Sequence, residues 1–260
     1  MMPKNTDRDW EIYGQIAPYF GVLSDEKFMP DKLDDSAVAE FFSSGEQHIE
    51  HIVSLVKQHL KPDFEPQRCL DFGCGVGRLV FPLARRFKSV VGLDVSRSMI
   101  EEARRNVEKY GIRNAEFVES DDALSRVDGK FDFVHSFIVM QHIPRERGEM
   151  LMQRLIELLN PGGVAALHFT YSWDGWLRTA TKTQRLSRWL RESVPLFHNL
   201  TNLARGRRFD HPYMQMNAYD LNKLFSILQE HGCQQVHAQF TSHSGHWGVM
   251  LLFQKDKGQN

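Results

Sequence analysis

The chain is poor in cysteine and has almost no net charge. Its three cysteines among 260 residues, Cys69, Cys74 and Cys233, form no C-x-x-C pair and no zinc spacing. That leaves no sequence basis for a disulfide framework, a dithiol redox pair or a structural zinc. Cys69 falls in an apolar run and Cys233 beside a glycine, so both are expected to be buried thiols in a reducing, cytoplasmic setting. Cys74 sits in a glycine-rich stretch with no basic neighbour to activate it as a nucleophile. A formal net charge of −1 supplies no whole-molecule attraction to nucleic acid or membrane, so any such preference has to be local. No apolar run reaches the roughly 18–20 residues of a membrane span. The opening MMPKNTDRDWEIYG lacks the apolar stretch of a secretory signal. Internal repeats and low-complexity segments are missing too.

What is present suits a globular protein. Hydrophobic residues make up 42% and charged ones 25%, enough for a sizeable core in one large domain or one domain with an added cap. SGEQHIEHIVSLVKQHL (44–60) has Ile49, Ile52, Val53, Val56 and Leu60 on one helical face. Pro62 and Pro66 separate it from a run of alternating elements. Strand RCLDFG precedes a helix over 77–87, strand SVVGLDV a helix over 96–110 closed by Gly111, and strand AEFVES leads to strand FDFVHSF. A helix over 145–159 stops at NPGG before strand VAALHF; a helix over 218–231 precedes CQQVHAQF and HWGVMLLFQ. Such alternation predicts a mostly parallel α/β sheet covered on both faces, with ligands at the carboxyl ends of the strands. The short link between the last two strands predicts an antiparallel hairpin.

The stretch CLDFGCGVGRLVF carries the chemistry. A strand breaks into Gly73, Gly75 and Gly77, which allow a backbone to approach a ligand closely. A dinucleotide fingerprint needs its third glycine at position 78, where Arg78 stands, and has no acid at the position of Asp71. Asp94 ends the next strand, where a carboxylate either accepts from both ribose hydroxyls or caps the following helix. Asp121 and Asp122 follow the third strand; they either meet an adenine ring or are two solvated turn carboxylates.

Together, DFGCGVG, Asp94, the S-x-x-M of Ser96 and Met99, Asp121, the segment FDFVHSFIVMQHIP and the turn LLNPGG resemble the class I S-adenosylmethionine-dependent methyltransferases. The resemblance covers 66–169 well and 217–255 more loosely. It implies a Rossmann-like, seven-stranded sheet, mostly parallel with the last strand antiparallel, in a core of residues 61–170 and 217–260. It implies S-adenosyl-L-methionine as cofactor, held by Asp71, Gly73, Cys74, Gly75 and Gly77, by Asp94, Val95 and Met99, and by Asp121, Asp122, Ser136 and Gln141. Backbone carbonyls near Gly73 and Ser136 are the family's usual acceptors for the ammonium. Arg78 either helps with the carboxylate or is a solvated surface arginine.

Methyl transfer from a sulfonium mainly needs alignment and proximity, with a general base if the acceptor is a hydroxyl. His142, in MQHIP, is the first candidate base; the alternative is a ring bonded to backbone to shape the turn before Pro144. His168, near the end of the fifth strand, is the second, against a core histidine bonded to a neighbouring strand. His211, His243 and His246 are weaker. No metal is expected, since no His/carboxylate cluster has ligand spacing.

Residues 171–216 break the alternation and read as a basic helical cap over the acceptor side. Eight basic residues (Arg178, Lys182, Arg185, Arg188, Arg191, Arg205, Arg207 and Arg208) stand there against Asp174, Glu192 and Asp210. They solvate an outer face, bind an anionic acceptor such as a phosphorylated or nucleotide-linked sugar, or approach a membrane holding a lipid-linked one. Trp173, Trp176, Leu177 and Ala180 recur at helical spacing and could pack down on the domain. Residues 1–60 are expected to form a helical segment covering the cofactor, with Tyr13, Tyr19 and Phe20 either closing over it or packing in the core. The sequence thus points to methylation of a small-molecule or glycan acceptor, most simply on oxygen. N-methylation on the same fold and a non-catalytic cofactor-binding module are the alternatives. RNA is disfavoured, because no N/D-P-P-Y/F motif follows the fourth strand.

Overall fold

The computed structural model describes residues 6–173, 181, 183, 190, 197–204, 211–243 and 245–257. Its centre is a seven-stranded sheet in the order β3-β2-β1-β4-β5-β7-β6. The strands are β1 (Arg68–Phe72), β2 (Ser89–Asp94), β3 (Ala115–Glu119), β4 (Phe131–Ser136), β5 (Leu159–Trp173), β6 (Gln235–His243) and β7 (His246–Gln254). Strands β1 to β5 pair in parallel, and β7 runs antiparallel to both β5 and β6. The helices are α1 (Thr6–Ile16), α2 (Pro18–Val22), α3 (Asp35–His59), α4 (Val80–Arg86), α5 (Arg97–Lys109), α6 (Arg145–Glu157), α7 (Phe197–Ala204) and α8 (Leu221–Glu230); α3, α4, α5, α6 and α8 cover the two faces of the sheet. The expected α/β class, its parallel character and the antiparallel last strand are all observed.

Strands β1 and β4 lie between neighbours and are buried on both faces, which is why they read as nearly continuous apolar runs. One face packs Leu70, Val134, Leu167 and Phe169 against α6 and α8; the other packs Cys69, Phe133, Val164 and Ala166 against α3, α4 and α5. All three cysteines are buried and unbridged, and burial pushes the Cys233 thiol up to about 11.

Helix α3 begins at Asp35, well before the predicted 44, because the Asp34 side chain accepts from Ala37 N at 2.8 Å and starts it there. Ser44-Gly45 looks like a helix start but is interior: Gly45 sits so close to the Arg78 carbonyl that a Cβ would lie 2.4 Å from it. Helix α4 is shorter than the predicted 77–87, and α8 begins three residues late, where the Asp220 side chain accepts from Asn222 N at 3.0 Å. β5 is longer than VAALHF because the NPGG segment joins it through the Phe131↔Leu159 pairing, and Trp173 continues it opposite His246.

Within the expected cap, Tyr171–Trp173 extend β5 and α7 lies further on. Trp176, Leu177, Ala180, the eight basic residues and their three acids lie outside the described residues. Residues 211–220 return to the sheet, Asn217 N donating to Gln141 O and Tyr219 N to Thr170 O. Among the described residues no helix is long and apolar enough to cross a membrane.

Candidate functional site

A solvent-connected cavity of about 910 Å³ opens at the carboxyl ends of β1, β2 and β4. Its floor is the turn after β1. Gly73 has φ +74° and stands where a Cβ would lie 2.4 Å from the Val139 side chain; Gly75 has φ +53° and would meet Val22 at 2.4 Å. Both need glycine twice over, for a left-handed backbone and for the close approach of the walls. The amides of Gly73 and Cys74 share the Leu93 carbonyl at 2.7 and 2.9 Å, which ties the turn to β2.

At the end of β2, Asp94 Oδ2 accepts from Gly75 N and Oδ1 from Ser96 N, each at 2.9 Å. Each carboxylate oxygen keeps a second lone pair. Burial outweighs those two bonds and pushes the Asp94 carboxyl up to about 6. Asp94 braces the turn and faces the cavity together, and Ser96, not Asp94, caps α5 by accepting from Met99 N at 3.1 Å.

On the neighbouring strand β1 and just past its turn stand Asp71 and Arg78. Asp71 is 1% exposed; its Oδ1 receives the His135 ring at 2.9 Å, and its Oδ2 has no partner among the described residues. Arg78 is 4% exposed, donates to Ser44 Oγ at 3.1 Å and leaves a buried Nε without a partner among the described residues. Burial draws its guanidinium down to about 10, opposed by the charge of Asp71. Both line the cavity. Of the two readings open for Arg78, a solvated surface arginine is not what the structure holds.

Helices α1 and α2 supply Thr6, Asp7, Trp10, Gly21 and Val22 to the cavity wall. They are fastened at two points. Glu11 accepts from Ser98 Oγ at 2.6 Å and Ser96 Oγ at 2.8 Å at the start of α5. Arg147 on α6 holds Asp7 through two bonds of 2.7 and 2.9 Å and Asp122 at 2.6 Å. Tyr13 and Tyr19 pack in the core under this cover, with Phe20 half-buried beside them; of the aromatic residues on α1 and α2, Trp10 reaches the cavity.

Of the residues singled out in the sequence, Asp71, Gly73, Cys74, Gly75, Asp94, Val95, Met99, Asp121, Asp122 and His142 line the cavity. Asp121 also accepts from Ser125 N and Oγ at 2.9 and 2.5 Å, which holds its carboxyl below the usual range. Gly77, Ser136, Gln141 and His168 stand outside the lining. Ser136 Oγ donates to Phe72 O at 2.9 Å, joining β4 to β1. His168 is buried beside Phe137 and His243, its Nε2 2.8 Å from Thr241 Oγ1.

His142 is pinned through a directed chain. Thr170 Oγ1 donates to Gln141 Oε1 at 2.9 Å, so the Gln141 amide nitrogen faces His142 Nε2 at 3.1 Å. His142 Nδ1–H donates to the Gln215 carbonyl at 2.8 Å. Its Nε2 therefore carries the lone pair, and burial draws the ring down to about 4. Trp10 packs on the ring at 4.9 Å. Trp10, Arg147 and His135 were invisible as site residues in the sequence, since each depends on which distant elements meet. Among the described residues no group of three or more His, Cys, Asp or Glu is placed to hold a metal ion.

Residues 69–163 match the family model of a methyltransferase domain. A ubiquinone biosynthesis O-methyltransferase of Chelativorans sp. (strain BNC1) is 37% identical over 101 residues, 39% of this chain and 39% of that protein. A 23S rRNA (uracil(1939)-C(5))-methyltransferase of Stenotrophomonas maltophilia (strain R551-3) is 40% identical over 76 residues, 29% of this chain and 16% of that protein. The chain thus spans at most 39% of the length of these two curated relatives. Among solved structures, magnesium protoporphyrin IX methyltransferase of Synechocystis PCC 6803 with bound S-adenosylmethionine superposes with a TM-score of 0.57 at 20% identity, over 95% of this chain and 97% of that one. A Haemonchus contortus phosphoethanolamine N-methyltransferase 2 does so at 0.56 and 16% identity, over 80% and 52%. At these identities the likeness is one of fold.

Proposed function

We propose that the chain, whose residues 69–163 match a methyltransferase-domain family model, is a class I S-adenosylmethionine-dependent methyltransferase that transfers a methyl group from that cofactor to a hydroxyl of a small-molecule or glycan acceptor. The observation that carries this reading is the pair of orphaned buried groups in the cavity lining. Asp71 Oδ2 lacks a donor and Arg78 Nε lacks an acceptor among the described residues. An amino acid zwitterion supplies both, its ammonium to Asp71 and its carboxylate to Arg78. Asp94 offers two acceptor positions to ribose hydroxyls, and Asp121 and Asp122 flank the place for adenine. The glycine turn after β1 has no lysine, which suits a nucleoside without phosphate.

When bound, S-adenosylmethionine supplies an electrophilic methyl group with a neutral thioether as leaving group. The protein's part is to align the acceptor and exclude water, tasks that fall to Trp10, Phe137, Val139 and Ile143 along the wall. His142 is neutral at physiological pH and its one lone pair, on Nε2, receives the Gln141 amide; it is the proposed acceptor of a hydroxyl proton, a role in which the acceptor hydroxyl takes the place of that amide. His168, outside the cavity, has no part in this scheme. Nucleic acid is left out of the proposed acceptor range, because no N/D-P-P-Y/F motif follows β4. The intact acids and glycines weigh against a non-catalytic module.

The test is methyl-labelled cofactor with the full chain and a panel of hydroxyl and amine acceptors. Label on a hydroxyl supports the proposal; label on an amine selects N-methylation in its place. With the hydroxyl acceptor found, His142→Ala is expected to slow turnover roughly a hundredfold and leave affinity for S-adenosylhomocysteine unchanged. An unaltered rate makes His142 a structural pin.

A further inference from the structure

The carboxylate of Asp71 is reached from behind by two imidazoles that methyl transfer itself does not use. His135 sits on β4 in register with Asp71 on β1 and is fully buried. Its Nδ1 lies 2.9 Å from Asp71 Oδ1, and its Nε2 lies 3.0 Å from Nε2 of His48 on α3. The directions of these bonds follow from the end of the chain. Asp71 Oδ1 is the acceptor of this pair, so His135 donates from Nδ1 and keeps the lone pair on Nε2. His48 must then donate from its own Nε2. Burial, His135 and Arg78 hold the His48 ring well below the usual range, so it stays a neutral donor. His48 also stacks on Phe137, ring centres 4.0 Å apart, and Phe137 lines the cavity.

This chain solves a problem that the cavity poses. A buried carboxylate facing a buried guanidinium could turn toward it and consume both groups before any ligand arrives. With Oδ1 bonded by a ring from the adjacent strand, the carboxylate plane is fixed and Oδ2 remains the acceptor on offer. The ring can do this only as the Nδ1–H tautomer, and the His48 proton is what disfavours the other one. The same logic, a carboxylate fixing an imidazole tautomer, here runs in the opposite sense: the imidazole fixes the carboxylate.

We propose that His135 and His48 are positioning residues for the amino-acid end of the cofactor, holding the Asp71 carboxylate oriented toward the ammonium. The inference rests on the S-adenosylmethionine reading of the cavity. His135 is too deeply buried to replace without risk to the fold, so the informative position is the half-buried His48.

The experiment is calorimetry on the full chain with two ligands, S-adenosylhomocysteine and 5′-methylthioadenosine, which has the adenosyl part but no amino-acid end. His48→Leu cannot donate to His135; it is expected to weaken S-adenosylhomocysteine about tenfold while 5′-methylthioadenosine changes less than about twofold. His48→Gln, whose amide can donate, is expected to restore S-adenosylhomocysteine to within about twofold of wild type. Ring ¹⁵N shifts should show His135 as the Nδ1–H tautomer in wild type and a tautomer mixture in His48→Leu. Equal effects on both ligands, no effect on either, or no rescue by glutamine overturns the proposal. Wild type binding neither ligand overturns the cofactor reading beneath it, a different result.

Discussion

Asp94→Ala is expected to weaken S-adenosylhomocysteine binding roughly a hundredfold, the loss of two hydrogen bonds to a charged acceptor. The proposed ribose contacts are only part of that loss. Asp94 also receives Gly75 N and Ser96 N at 2.9 Å, so its removal frees the turn that forms the cavity floor. A pH profile separates the two contributions. Burial places the Asp94 carboxyl at about 6, above its ordinary value, so in the free protein it is protonated below that pH and ionised above it. Hydroxyls donate best to the ionised form, so binding favours loss of the proton. Affinity should be flat above about pH 6 and fall toward tenfold for each unit below it, with a proton released on binding near that pH. Asp94→Asn should bind weakly at all pH values with no such limb. Isothermal titration across pH 5 to about 8 reads both; a wild-type profile without an acid limb removes Asp94 from the ribose.

Arg78→Leu is expected to separate affinity from stability. Its guanidinium is 4% exposed with an unpaired Nε among the described residues, so the empty protein carries the desolvation cost of a cation that it does not fully satisfy. Leucine fills similar apolar space, removes that cost and loses the Ser44 bond, so the melting temperature should hold or rise. Affinity for S-adenosylhomocysteine should nevertheless fall about a hundredfold through loss of the carboxylate partner, with 5′-methylthioadenosine little changed. A melting temperature that drops while S-adenosylhomocysteine affinity stays at the wild-type value would make Arg78 a structural residue.

The sequence carried the sheet and the cofactor end of the site because both are written in short stretches. Gly73 and Gly75 need their conformations within one turn, and Asp71 and Asp94 sit at the ends of β1 and β2, which the crossover rule brings to one rim. What the sequence could not carry are contacts between remote elements. Arg147 meets Asp7 across 140 positions, and His48 meets His135 across 87. Neither pair has a spacing signal, because the angle at which α1 and α3 lie on the domain sets both. Arg78 was ambiguous for a related reason: it packs against α3, where Gly45 approaches its carbonyl and Ser44 Oγ accepts from its guanidinium across 34 positions. Ile138 left no trace either. It follows β4 at φ +55°, a costly conformation for a β-branched side chain, and lines the cavity between Phe137 and Val139.

The most direct measurement is a pair of titrations of the wild-type chain near neutral pH, one with S-adenosylhomocysteine and one with NAD⁺. A cavity lined by Asp71, Arg78 and Asp94 should take up one equivalent of the sulfur nucleoside and give no heat with the dinucleotide. Saturable binding of NAD⁺ with none of S-adenosylhomocysteine would mean that a pyrophosphate, not an amino acid, occupies the glycine turn.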